Sequence, residues 1–218
     1  MADAVKANYD RDMQAMIAAE CQGCPPILLH SCCGPCSSAV LERLCPHFDV
    51  TVYYDNPNIY PQAEFLRRAE EQRRLLSEMT PAGKHVDMIL APWDDAAFYE
   101  AVRGHEGDPE GGERCGLCFA FRLTRCAMAA KELGFPYFTS TLTVSPHKNA
   151  EKVNAAGFEA ERLSGVRYLP SDFKKRNGYL RSLQLSAEHH LYRQDYCGCV
   201  FSLRQGNDGA MEKTPAVT

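Results

Sequence analysis

The chain has 218 residues, of which 45% are hydrophobic and 24% charged, and its formal net charge is −4 at pH 7. This composition is typical of a globular domain with a full core, and it excludes a general attraction to nucleic acid, DNA included, or to anionic membranes. A polyanionic partner would therefore need a local basic patch. No apolar run approaches the length of a membrane span, and the N-terminal stretch MADAVKANYDRDMQAMIAAE has acidic residues and no apolar signal core. We therefore expect a cytoplasmic protein without a membrane partner.

Strand and helix patterns alternate along the chain. After an N-terminal helical extension (1–25), short apolar runs predict strands at 27–31, 49–56, 85–93 and 135–145. Helical patterns begin at about Ser37 and cover 63–79, 94–104, 115–134 and 149–165. The order predicts an α/β fold with a doubly wound, mostly parallel sheet. We expect one catalytic domain at 26–205, including a helical or irregular C-terminal extension without clean periodicity, and a disordered tail at 206–218.

The chain contains eleven cysteines, and most of them are paired or clustered in the sequence. In a chain without a secretory signal, this number favours metal or redox chemistry over a disulfide framework. Cys45 and Cys126 are isolated, as small core residues often are. The grouped positions are Cys21 with Cys24, then Cys32, Cys33 and Cys36, then Cys115 with Cys118, and finally Cys197 with Cys199.

The stretch ILLHSCCGPCSS carries Cys32, Cys33 and Cys36 directly after the first predicted strand. Ligands of open parallel sheets bind at the carboxyl ends of the strands, and the N-terminus of a following helix stabilises thiolates and other anions. An ATP-binding loop at this place would read Ser-Gly-Gly-x-Asp-Ser, and the chain has neither the glycine pair nor the aspartate. ATP-dependent adenylation is therefore disfavoured.

The motif ERCGLCFAFR places Cys115 and Cys118 three residues apart, on one side of a helix. Such a pair serves as a thioredoxin-like dithiol, as half of a zinc site or as half of an iron–sulfur site. Together with Cys32 and Cys33 it offers four thiolates, which suit structural zinc or a [4Fe–4S] cluster. Adjacent cysteines are an awkward half of a compact zinc tetrahedron, so the spacing favours iron–sulfur.

Cys197 and Cys199 form a CxC pair in DYCGCVFS. This spacing is too tight for an unstrained disulfide, and strained disulfides are the labile, catalytic ones. We interpret the pair as a dithiol that shuttles electrons; the alternative is a pair of zinc or cluster ligands.

The segment from Ser171 to Cys199 mixes basic and aromatic residues. Such mixtures hold phosphates and stack unpaired bases, although a solvated basic surface has the same composition. His189, His190 and Asp172 are additional candidates for polar or acid–base groups. The residues of the mixture are Lys174, Lys175, Arg176, Arg181 and Arg193 with Tyr179, Tyr192 and Tyr196.

Taken together, five stretches resemble the cobalamin-independent epoxyqueuosine reductase family. They are LLHSCCGPCSSAVLERL, YYDNPNIYP with EFLRRAEEQRRLL, RCGLCFAFRL, TSTLTVSPHKN and SDFKKRNGYLRSLQLSAEHHLYRQDYCGC. They cover roughly 27 to 202 in the family's order, which leaves Cys21 and Cys24 outside. The resemblance implies a modified adenine-nucleotide alpha-hydrolase-like, Rossmann-like fold. It also implies reduction of epoxyqueuosine to queuosine at the wobble position of tRNA, the last step of queuosine biosynthesis.

The resemblance further implies roles for individual cysteines. Cys32, Cys33, Cys115 and Cys118 would ligate a [4Fe–4S] cluster, and Cys197 with Cys199 would form a redox-active disulfide. Cys36 lies in the family motif and is a candidate ligand for one additional iron. The partners implied are tRNA carrying epoxyqueuosine in its anticodon loop and an unidentified electron donor.

Three alternatives use the same residues differently. CCxxC and CxxC could be the structural ligands of a zinc-binding, non-catalytic tRNA-binding module. An ATP-dependent tRNA sulfur-transfer enzyme would form a persulfide on Cys32, Cys36 or Cys199, but it needs the missing ATP loop. A thioredoxin-like oxidoreductase is disfavoured because CGLC lacks the preceding strand.

Overall fold

A computed structural model describes residues 7–21 and 23–206, and its centre is a sheet of parallel strands. The strand order in the sheet is β3-β2-β1-β4-β5, so the order reverses between β1 and β4. Ile27 of β1 lies opposite Val50 on one side and Tyr137 on the other. The strands are β1 (Pro26–His30), β2 (Asp49–Tyr54), β3 (Asp87–Leu90), β4 (Tyr137–Ser140) and β5 (Arg167–Tyr168).

Helices cover both faces of this sheet, which confirms the predicted doubly wound α/β fold. Leu29 of β1 packs into one apolar cluster with residues of α1, α2 and α3, whereas Leu28 packs into a second cluster with α5 and α6. Both side chains are completely buried, because successive residues of a strand point to opposite faces. The helices are α1 (Tyr9–Glu20), α2 (Gly34–Leu44), α3 (Gln62–Glu78), α4 (Asp95–Ala101), α5 (Glu113–Leu133), α6 (Ala150–Ser164), α7 (Gly178–Glu188) and α8 (Val200–Gly206).

The longest helix, α5, forms nearly where the sequence predicts it. It ends at Gly134, whose φ of +79° is the left-handed conformation that closes helices, and the Gly134 N–H bonds back to Lys131 O. Cys126 in its middle is completely buried, as is Cys45 at the end of α2, so both act as core residues, as predicted.

The structure differs from the sequence prediction at three places. β4 stops at Ser140, because the Ser140 hydroxyl accepts the Leu142 N–H and turns the chain into a 3-10 helix (Thr141–Val144). β5 has two residues, too few for a recognisable pattern. The region after Asp172, in which no period was found, contains α7, which packs on α2. The predicted disordered tail lies, from residue 207 onward, outside the described residues.

Among the described residues, no helix is both long enough and apolar enough to traverse a lipid bilayer.

Candidate metal and redox site

The first group of cysteines lies where the carboxyl end of β1 meets the N-terminus of α2. Cys33 is the N-cap residue, and its carbonyl accepts the Ser37 N–H at 3.2 Å to open the helix. Pro35 in the first turn suits this position, since its missing N–H has no helical partner to lose. The strand order reverses beside this loop, and that reversal is where ligands of such sheets bind.

A buried polar contact fixes the cysteine loop to α3. Gln72 Oε1 accepts hydrogen bonds from the hydroxyls of Ser31 (3.1 Å) and Ser37 (2.7 Å), and all three side chains are completely buried. The same loop is held from β2, where Asn56 Nδ2 donates to Ser31 O at 2.7 Å. Because buried hydrogen bonds are costly to leave unmade, these contacts hold the chain on the N-terminal side of Cys32 in one conformation.

The sulfur atoms of Cys32, Cys33 and Cys36 lie within 4.8 Å of one another. Hydrogen bonding from Cys33 and Cys36 lowers the pKa of Cys32 well below that of a free cysteine, although burial opposes this effect. Gln194 Nε2 also donates to Cys33 Sγ at 3.2 Å. The group therefore favours an anionic sulfur at the α2 N-terminus, which is the form that binds metals.

The second group of cysteines lines a cavity of about 80 Å³ beside α5. Cys115 and Cys118 come from the first turns of α5, and Cys197 and Cys199 come from the C-terminal segment. The Gly111 N–H donates to Cys115 Sγ at 3.2 Å. Burial raises the pKa of Cys115, and it raises that of Cys118 to about 12. All eleven cysteines are free in the structure, including Cys197 and Cys199.

The outer face of α3 holds the segment that leads to Cys197. Backbone groups of this segment are bound by charged α3 side chains, and the ring of Tyr192 lies 3.4 Å from the Arg67 guanidinium. Leu191 of the segment also packs against Leu75 and Met79, so apolar as well as polar contacts hold the segment. Three polar contacts reach its backbone. They are Arg74 Nη2 to His189 O (3.0 Å), Glu71 Oε1 from Tyr192 N (2.6 Å) and Arg68 Nη1 to Cys197 O (3.4 Å).

Gly198 gives the CxC pair its turn. Its φ of +119° lies in the range that favours glycine, and its carbonyl accepts the Tyr60 N–H at 2.8 Å. Cys197 is half-buried, whereas Cys199 is 8% exposed and its sulfur lies 3.5 Å from the Ser202 hydroxyl. The two thiols therefore differ in access to solvent.

Cys197 also lies in the wall of a larger cleft of about 590 Å³, which contains Cys32 and Cys36. Glu110, His147 and Lys148 also line both this cleft and the smaller cavity. A third, open groove of about 1050 Å³ continues past Lys148 along the start of α6. The cleft is also lined by His147, Tyr179, Arg193, Gln194 and Tyr196.

Two cations lie between the groups of cysteines. Arg122 is 1% exposed, lines the 80 Å³ cavity and approaches Cys118 Sγ with Nη1 at 4.0 Å. Burial acts to lower the pKa of Lys148, but negative charge on the neighbouring cysteines outweighs it and raises that pKa. Sequence reasoning did not single out either residue. The signal available for Arg122 was its position four residues after Cys118, on the same side of α5.

Much of the predicted basic segment is engaged in ion pairs within the fold. Lys174 contacts Asp172 at 2.6 Å, Arg176 contacts Asp10 at 2.8 Å, and Arg181 contacts Glu42 at 2.7 Å. Of the segment's other members, Arg193, Tyr179 and Tyr196 line the cleft, and Lys175 lines the open groove. His189 contacts Glu78 at 3.2 Å, outside the cavities described above.

The N-terminal pair is separate from both groups of cysteines. Cys21 is buried at the end of α1 and contacts Met16 O at 3.9 Å, while Cys24 contacts Pro46 O at 3.7 Å. Neither lines the three cavities described above.

The donor atoms of the site fit a metal centre. Sulfur is the soft ligand that zinc and iron–sulfur clusters prefer, and the three sulfurs after β1 are close enough to share one metal centre. Nearby cations offset the charge of bound thiolates. We conclude that Cys32, Cys33 and Cys36 can bind a metal.

Comparisons with known proteins give one consistent match. The family model described as "Epoxyqueuosine reductase QueH" matches residues 27–205. Proteins named epoxyqueuosine reductase QueH are similar over most of the chain. The one from Streptococcus pyogenes serotype M1 is 45% identical over 97% of this chain and 84% of its own length. The one from Staphylococcus epidermidis is 43% identical over 93% and 88%, and the one from Thermotoga maritima is 33% identical over 81% and 90%.

Proposed function

The chain belongs to the epoxyqueuosine reductase QueH family and is an oxidoreductase that reduces epoxyqueuosine to queuosine, and we propose that it does so on tRNA with the cysteines at the sheet edge. One observation above all supports this proposal: Cys197 lies in the wall of both the large cleft and the small cysteine-lined cavity. A reducing group at that position reaches a substrate in the cleft and a metal centre behind it.

Cys32, Cys33, Cys115 and Cys118 would hold a [4Fe–4S] cluster, with Cys36 as a ligand for one additional iron. In support, Cys32 and Cys33 belong to one buried cluster of side chains against which Cys36 and Cys115 pack. Bound there, such a cluster supplies electrons one at a time.

Cys197 and Cys199 would act as the two-electron dithiol. Deoxygenation of the epoxide to the alkene requires two electrons and two protons, and oxidation of two thiols to a disulfide releases both. The epoxide oxygen leaves as water, one sulfur–sulfur bond forms, and both carbon–oxygen bonds break. An external electron donor, which remains to be identified, then returns the disulfide to the dithiol.

The large cleft would take the wobble nucleoside after it leaves the base stack of the anticodon loop. Tyr179 and Tyr196 offer aromatic faces for stacking, and Arg193 and Lys148 offer positive charge for phosphates. The cleft volume of about 590 Å³ is in the range of small-molecule sites. We expect the reaction in the cytoplasm, where thiols stay reduced.

The central experiment is anaerobic incubation of the reduced protein with tRNA containing epoxyqueuosine, followed by mass analysis of the nucleosides. Queuosine should form, and the purified protein should be brown and contain iron. A colourless protein with stoichiometric zinc and no product would instead indicate the zinc-binding module. Consumption of ATP with sulfur transfer would indicate the sulfur-transfer enzyme.

Cysteine variants separate the two roles. Cys197→Ser and Cys199→Ser should abolish product formation and retain iron, whereas Cys115→Ser should lose iron as well. Cys36→Ser should lower iron content if Cys36 holds an additional iron. Cys24→Ser is the matched control, because this half-buried thiol lies outside the site and should change neither readout. Turnover in both classes of site variant would contradict the assignment.

A further inference from the structure

Three arginine side chains are almost completely buried in the described part of the chain, and their partners differ. Arg68 pairs with Glu64 at 2.6 Å, a carboxylate that neutralises it. Arg114 donates to backbone carbonyl oxygens of the 105–108 loop, including Glu106 O at 3.0 Å. Among the residues that the structure describes, Arg122 has neither a carboxylate within 4 Å nor a set of backbone carbonyl groups as hydrogen-bond partners.

The oxygen that contacts Arg122 is neutral and does not offset the charge of the guanidinium. Its Nη2 donates to Asn56 Oδ1 at 2.6 Å, and its Nε is buried without a hydrogen-bond partner. The nearest carboxylate in sequence to that asparagine, Asp55, is already held by Arg125 at 2.6 and 3.0 Å. A buried, unpaired guanidinium is strongly unfavourable, so the fold requires an anion close to it.

Sulfur atoms lie around Arg122, in a cavity wall that also contains Glu110 and Lys148. Cys118 Sγ lies 4.0 Å from Nη1, and Arg122 shares the wall of the 80 Å³ cavity with Cys115, Cys197 and Cys199. Its field also reaches the first group, since it contributes to the lowered pKa of Cys32. The buried His30 is affected in the same sense: burial and then Arg122 lower its pKa to about 3, so His30 remains neutral.

We propose that Arg122 is the fixed counter-charge of the metal-bound thiolates, which retains the metal centre and raises its reduction potential. This inference rests on the proposed function, because it requires the cysteines to hold a redox-active metal centre. A positive charge in a dry site stabilises the more negative, reduced state, and net charge near a cluster is one of the factors that set its potential. Asn56 fixes the guanidinium, and it is itself hydrogen-bonded to the carbonyl directly before Cys32.

The test is redox titration and iron retention in Arg122→Gln and Arg122→Lys, purified anaerobically beside the wild-type protein. Arg122→Gln should shift the midpoint potential to more negative values and lose iron to a chelator roughly 10-fold faster, as loss of a supporting contact around a metal typically does. Arg122→Lys keeps the charge and should stay near the wild-type midpoint. Arg162→Gln, in an exposed pair with Glu159, removes the same charge from the surface and should change neither value.

The outcomes distinguish the two proposals. A wild-type protein without a redox-active metal overturns the proposed function and this inference with it. A wild-type protein with the metal, and an Arg122→Gln variant of unchanged midpoint, overturns the inference alone. Equal shifts of the midpoint potential in Arg122→Gln and Arg122→Lys would show that the shape of the Arg122 side chain matters and its charge does not. That result would also overturn the inference. If Arg122→Gln does not fold, Arg122→Met takes its place in the comparison with Arg122→Lys, since an apolar isostere avoids a buried unpaired amide.

Discussion

Replacement of Gly198 by alanine tests how much the redox pair depends on one backbone conformation. Gly198 separates Cys197 from Cys199 at a φ of +119°, where L side chains are strained. An added Cβ would lie 3.1 Å from both Arg68 Nη1 and Ile59 Cγ1, so these neighbours must also move. Strain of this kind costs about 1–3 kcal/mol. Since 1 kcal/mol shifts the Tm of a domain of this size by about 2–4 °C, a cost near the middle of that range should lower Tm by about 4–8 °C.

The assay is thermal unfolding of the anaerobically reduced protein, followed by circular dichroism. The control is Gly116→Ala in the CGLC motif, where an added Cβ meets nothing within 4 Å and the backbone is helical. Alanine is favoured over glycine in a helix by about 0.5–1 kcal/mol, so Tm should rise by about 1–4 °C. A lower Tm for Gly198→Ala together with a higher Tm for Gly116→Ala supports the reasoning. A Gly198→Ala protein as stable as the wild type, or equal shifts in both variants, would refute it.

Three further predictions concern other parts of the molecule. Burial acts to raise the pKa of Asp10, but hydrogen bonds from Arg43 and Arg176 lower it on balance. The unfolded chain therefore binds this proton more tightly, and the stabilisation is present at neutral pH and lost as pH falls below the ordinary aspartate pKa of about 3.9. Asp10→Asn should thus lower the free energy of unfolding by about 1–3 kcal/mol at pH 7 and by less in acid, as measured by urea titration; a pH-independent loss would contradict this. Gln72→Leu removes the acceptor that the buried Ser31 and Ser37 hydroxyls share and leaves them with each other and Cys33 O as partners. It should cost about 1–3 kcal/mol in urea titrations, with lower iron content; unchanged values would argue against a role of Gln72 in holding the cysteine loop. Anaerobic chelation should abolish activity, and iron with sulfide should restore it; restoration by zinc alone would contradict an iron–sulfur centre.

The fold could be predicted from the sequence wherever local pattern and tertiary role agree. The apolar run of β1 is buried on both faces, and α5 ends at a glycine in the left-handed conformation. α7 was missed because its buried positions are partly serines, Ser182 and Ser186, whose hydroxyls bond back within the helix. A hydrophobic period cannot reveal a helix that buries polar side chains.

The candidate site likewise contains residues that the sequence predicts and residues that it does not. Clustered cysteines are recognisable in a sequence as candidate metal or redox residues. The carboxyl ends of parallel strands meet at one edge of the sheet, so separate cysteine motifs are expected to come together there. Arg122 and Lys148 could not be predicted as site residues, because the role of a cation depends on side chains that are close to it only in the folded protein. The basic segment shows the reverse case: Arg176 and Arg181 look available for RNA in sequence, yet carboxylates of α1 and α2 hold both.

The charged side chains of α3 position the segment that carries Cys197 and Cys199, and they contribute little to the stability of the sheet. Apolar burial builds the sheet and is insensitive to ionic strength. The chain leading to Cys197 also buries Leu191 against Leu75 of α3, but its backbone is bound by Arg68, Glu71 and Arg74. Substitutions at the partly exposed Arg74 or Glu71, with no cysteine nearby in sequence, can therefore abolish activity and leave a well-folded protein. In a survey of variants, inactive proteins of normal stability should map to this helix as well as to the cysteines.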